Sequence, residues 1–160
     1  MYLRLFLFLF ALATAGCVAT ADTDGRDTSG SGPVNFQELE RRDSPNDYLV
    51  CPDDYCKKAK PDRVSPVFPM PAAELKKRVA VLLSKAPRTQ IVSTDDTHIV
   101  AEQRSAVFGF PDTIDVEIIA VAADTSTVAI YSRSRYGYSD LGANGRRVDG
   151  WLEKLAASPK

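Results

Sequence analysis

Residues Thr113–Tyr136 read TIDVEIIAVAADTSTVAIYSRSRY, and this stretch decides the fold. Charged and aliphatic residues alternate through Ile114-Asp115-Val116-Glu117-Ile118, the period of a strand with one face on a core. In Tyr131-Ser132-Arg133-Ser134-Arg135 the arginines share a face with Tyr131, and the serines take the other. Asp124-Thr125-Ser126 between the two runs has turn chemistry. The pattern predicts antiparallel strands over Thr113–Ala122 and Thr127–Tyr136. Centring their hairpin on Thr125 sets Glu117 opposite Arg133 and Asp115 opposite Arg135. Such exposed pairs contribute about 0.2–1 kcal/mol each, so they fix register more than stability.

Upstream, Gln90–Thr94 and Thr97–Ser105 flank Asp95-Asp96 and read as a second hairpin. Before them, Pro71 opens a helix with Ala72, Leu75, Val79, Leu82 and Ala86 on one stripe and Lys76, Lys77 and Arg78 outward. That helix ends before Pro87. Downstream, a final helix starts near Ala143 and buries Val148, Trp151, Leu152 and Leu155. Asn46–Met70 carries Pro52, Pro61, Pro66 and Pro69, so it is expected to be extended or looping. The expected fold is α+β in the order α-β-β-β-β-α. A four-stranded antiparallel sheet carries both helices on one face, behind a proline-rich, disulfide-bearing extended segment. Residues 46–157 form its single domain.

Three cysteines bear on compartment. Cys51 and Cys56 in CPDDYC are most simply a disulfide across a tight loop. A metal site with Asp53 or Asp54, or a redox pair, are the alternatives. Cys17 closes the opening MYLRLFLFLFALATAGC, where Arg4 precedes an apolar run, Leu5–Ala13, and Ala15-Gly16 precede the cysteine. The run is shorter than the roughly 20 residues a membrane span needs. It reads as an export signal, residues 1–16, cut before a cysteine that carries acyl chains. Cleavage after Ala21 in Ala19-Thr20-Ala21, giving a soluble exported chain, and an uncleaved anchor are the other readings. Acyl chains on Cys17 would hold the protein on a bilayer. Residues 17–45 are then its tether. Val18–Val34 is rich in Asp, Thr, Ser and Gly, with a reach of roughly 20–25 Å.

Formal charge is −1 over 160 residues, which gives no sign of a nucleic-acid binder. Residues 95–124 hold seven acids against Arg104, whereas the bases of residues 132–160 outnumber Asp140, Asp149 and Glu153. Within that basic part Arg133, Arg135, Tyr136, Tyr138, Asp140, Asn144, Arg146 and Arg147 cluster where a strand runs into a helix N-terminus. One reading is a site for an anion or a lipid-like ligand. The other is structural: Ser139 or Asp140 caps the helix, Gly137 and Gly142 supply turns, and the arginines make salt bridges or are solvated.

The block Tyr131-Ser132-Arg133-Ser134-Arg135-Tyr136-Gly137-Tyr138-Ser139-Asp140-Leu141-Gly142, with Asn144, Arg147 and Val148, resembles the signature of the bacterial family called domain of unknown function 1499. Leu49-Val50-Cys51-Pro52, Tyr55-Cys56, Pro61-Asp62, Ser65-Pro66-Val67-Phe68, Pro87-Arg88-Thr89 and Phe110-Pro111-Asp112 are similar too, so the likeness covers about Asp47 to Leu155. Gly145 departs from it, standing where a basic residue is usual. The resemblance implies an exported or membrane-associated protein and names no reaction.

Nucleophile, phosphate-loop and metalloprotease motifs are missing from the sequence, and the single histidine, His98, sits in a strand pattern. Phe108 and Phe110 around Gly109 are read as packing residues that could also line a groove. The expectation is a non-enzymatic cell-envelope lipoprotein without metal or cofactor, partnered by the bilayer through Cys17 and by another envelope protein. A small-ligand module using the last strand and final helix is the alternative.

Overall fold

The computed structural model describes residues 33–157. The expected signal peptide, Cys17 and most of the expected tether lie outside them. Eight elements follow in order: β1 (Asp47–Cys51), β2 (Arg63–Val64), α1 (Ala72–Lys85), β3 (Thr89–Thr94), β4 (His98–Arg104), β5 (Pro111–Ala122), β6 (Thr125–Ser134) and α2 (Ala143–Ala157).

The class is α+β as expected, but the sheet has six strands, in the order β2-β1-β6-β5-β4-β3. The two extra strands come from the proline-rich segment. Tyr48-Leu49-Val50 pairs antiparallel with β6, and Pro52, which lacks an amide proton, follows directly after β1. β2 then adds in parallel to β1. The Cys51–Cys56 disulfide closes the loop between them. Both faces of β1 are buried, so its short apolar run shows no alternation.

The hairpin of β5 and β6 turns on Ala123-Asp124 rather than on Thr125, with a bulge between Ala120 and Ala122. Arg133 therefore lies opposite Thr113, and Asp115 opposite Tyr131. The displacement from the expected partner, Glu117 to Thr113, is four residues. An even slip keeps every side chain on its expected face.

Both helices do pack on one face. Leu75, Val79 and Leu83 of α1 and Val148, Trp151, Leu152 and Leu155 of α2 join Ile99, Ile114, Val116, Val128 and Ile130 in the main core. Ala86 ends α1 in extended conformation ahead of Pro87. The opposite face, expected to carry solvated ion pairs, is covered as well. Residues 33–45, assigned to the tether by sequence, return over the sheet and bury Phe36 and Leu39 against Leu49, Ala129 and Tyr131. Burial of two large apolar side chains holds this segment on the domain.

Candidate functional site

The covered face places Asp115 and Arg133 side by side at 2.6 Å, with the Arg133 guanidinium 5.0 Å from the Tyr131 ring centre. The Val34 amide donates to Asp115 from above. The Tyr131 hydroxyl donates to Asp47 at 2.6 Å. Burial first, then that bond, pushes the Tyr131 phenol above its ordinary range. Arg41, from the returning segment, bridges Asp47 and Asp62. Burial opposes its charge, but the two carboxylates more than offset this and raise its pKa. Arg133 is therefore neutralised by Asp115 inside a closed layer.

On the helix side, the end of the sheet and the first turns of α2 enclose a hydrogen-bonded circuit. Arg147 Nη2 meets Asp112 Oδ2 at 2.5 Å. Ser134 Oγ donates to Asp112 Oδ1, and Asn144 Nδ2 donates to Ser134 Oγ. Asn144 Oδ1 accepts from Ser132 Oγ and from Arg147 Nη1, which closes the ring. Asn144 also reaches the Asn46 carbonyl, and Asn46 Nδ2 donates to the Gly137 carbonyl. Asp112, Ser132, Ser134 and Asn144 are all buried. Among the described residues no buried side-chain N or O atom lacks a partner. Of the cluster read as a possible anion site, Asn144 and Arg147 thus spend their polar groups within this circuit.

The remaining members of that block build a loop. Asp140 caps α2, its two oxygens accepting from the amides of Gly142 and Asn144. Gly137 and Gly142 take positive φ, as the turns require. Arg135 pairs with Glu102 and with the Thr113 hydroxyl. Arg146 lies in solvent and donates to the Leu141 carbonyl. At Gly145 a Cβ would sit 3.2 Å from the Tyr48 ring, so the ring occupies the space a basic side chain would leave through.

What this scaffold presents is apolar. The β6–α2 loop exposes Tyr136, Tyr138 and Leu141, and the adjoining β4–β5 loop exposes Val107, Phe108 and Phe110. Phe108 stacks on Phe110 at 5.6 Å between ring centres, and Phe110 meets Tyr136 at 6.1 Å. The β4–β5 loop is fastened at its base, where Ser105 and Phe110 exchange hydrogen bonds and Arg104 reaches the Gly109 carbonyl. Leu141 is 84 % exposed and takes φ +53°. A left-handed leucine costs roughly 1–2 kcal/mol, and no burial offsets it here. Sequence reading placed Tyr136 and Tyr138 in the site but missed Val107 and Leu141. The available signal was apolar residues clustered around Gly109 and Gly142 without strand or helix period.

His98 stands 3.4 Å from Asp95 and 3.8 Å from Glu117. Glu117 accepts from Tyr55 at 2.7 Å. Burial and that bond push the Tyr55 phenol up to about 12. The Asp95 carboxyl is held below its usual range by the amides of His98 and Thr97. His98 Nδ1 also lies 3.0 Å from the Thr97 hydroxyl, so the imidazole ties the Asp95–His98 turn to Glu117 of β5.

A family model described as "Protein of unknown function (DUF1499)" matches residues 12–155. No curated protein matches the chain.

Proposed function

The chain belongs to the DUF1499 family, a membership that brings no reaction with it. From its surface chemistry we propose a non-enzymatic envelope protein, anchored to a bilayer by acyl chains on Cys17, whose aromatic tip docks a partner protein. The observation that carries this is the tip itself: exposed Val107, Phe108, Phe110, Tyr136, Tyr138 and Leu141 on loops braced by a buried polar circuit. Exposed apolar patches of this kind mark interaction surfaces. Bracing them beforehand lowers the ordering cost of association. Arg104 and Arg135, both paired with Glu102 beside the patch, suit the polar rim of a protein interface. The same ion pairs would lose their water in bilayer hydrocarbon, which favours a protein partner. The cysteine after the apolar N-terminal run supports the anchor, and the Cys51–Cys56 disulfide supports an oxidising compartment.

The test is a photoreactive side chain at position 138, irradiated in native membranes. We expect a discrete protein adduct that disappears in Phe108→Ser, Leu141→Ser, a variant with unchanged melting temperature. Adducts with lipid alone, or a protein adduct indifferent to the variant, would overturn the docking role. Cys17→Ser should release the chain from the membrane fraction. If it stays as firmly bound, the anchor assignment fails while the tip remains testable.

A further inference from the structure

Between α1 and α2 lies a groove of about 560 Å³ that shares no residue with the tip. Its lining includes Leu82, Trp151 and Leu155, with Val81, 51 % exposed, also facing it. Exposing an aliphatic side chain on a helix that otherwise buries its apolar stripe leaves hydrophobic surface without a partner. The charge around it is one-sided. Lys77, Arg78, Lys85 and Lys154 line the groove against a single acid, Glu74. That acid is engaged by Arg78 at 3.0 Å. Among the described residues neither Lys77 nor Lys85 has a carboxylate partner.

We propose that this groove binds a single-chain anionic amphiphile, its alkyl chain on the apolar lining and its carboxylate or phosphate head among the rim lysines. Apolar lining matches the chain, and Lys77 and Lys85 match the head. The volume falls in the range of about 300–1,000 Å³ that small-molecule sites occupy. An amphipathic helix from a partner is the rival occupant. A second hollow of about 550 Å³, bounded by Pro66–Pro71, shares Arg78 and Leu155 with the first, so a longer chain has room to continue.

Trp151 is the one tryptophan of the sequence and lines this groove, so the protein's tryptophan fluorescence comes from a side chain at the site. The full chain, held in amphipol, is titrated with 9,10-dibromostearic acid, with a lysophosphatidic acid bearing the same brominated chain, and with the methyl ester of the first. Saturable quenching by either acid supports the site and identifies the head it takes. Quenching should weaken at least tenfold in Lys77→Glu, Lys85→Glu. Val81→Asp, which acts on the chain rather than the head, should weaken it as well. No quenching by either acid overturns the proposal. So does equal quenching by the methyl ester, or quenching unchanged in both variants. The tip variant Phe108→Ser, Leu141→Ser should quench like the parent, so loss of partner docking and loss of amphiphile binding are read separately.

Discussion

Arg147 is nine-tenths buried against Asp112, while Arg146, one residue earlier, lies in solvent with its guanidinium on a backbone carbonyl. Removing one partner of a buried ion pair strands the other, at a cost of about 3–5 kcal/mol. Arg147→Ala should therefore lose that much in urea denaturation, and adding Asp112→Ala should restore part of it. Arg146→Ala should stay within about 0.5 kcal/mol of the parent, as exposed substitutions do. Sequence made both arginines members of one cluster, because spacing shows where a side chain stands along the chain and not which carboxylate it meets. The carboxylate here, Asp112, comes from the far side of a hairpin. A second residue-level effect is alkaline. In the unfolded chain the Tyr55 phenol ionises near pH 10, whereas in the fold it keeps its proton to about 12. Between those values the unfolded state binds fewer protons, so stability falls as pH rises and is complete only below pH 10. Tyr55→Phe should make the decline of melting temperature from pH 10 to 12 shallower than in the parent.

At the level of elements, parity was legible and register was not. Alternation at Ile114–Ile118 and Tyr131–Arg135 assigned faces correctly, since a strand has period two whatever its partner. The turn fell on Ala123-Asp124, without the Asn-Gly or Asp-Gly signal that marks a two-residue hairpin loop, and so the pairing slid by four. β1 was hidden for a different reason. Its apolar residues are few, buried on both faces and followed at once by Pro52. Phe36 and Leu39 are three residues apart in an otherwise polar stretch, and two apolar residues make no period. Their packing is nonetheless testable. Phe36→Ala should cost about 3–5 kcal/mol as a core truncation. A tether residue in that position would cost under about 0.5 kcal/mol. Chemical denaturation of the full chain decides between them.

For the molecule as a whole, the helix layer, the six-stranded sheet and the returning N-terminal segment make three tiers, with the aromatic tip at one end of the strands. Composition and spacing foresaw two of those tiers. The third depends on tertiary closure. β1 completes the sheet only by pairing with β6. The side chains of Asn144 and Asn46 likewise reach carbonyls 98 and 91 residues away. Contacts at such separations form slowly, because a long loop must close before they are made. Synthesis delivers the N-terminal part first. Phe36, Leu39 and β1 then lack Ala129, Tyr131 and the antiparallel pairing with β6 until that strand has been made. A polypeptide wired in this way stays threadable until its last strand is finished.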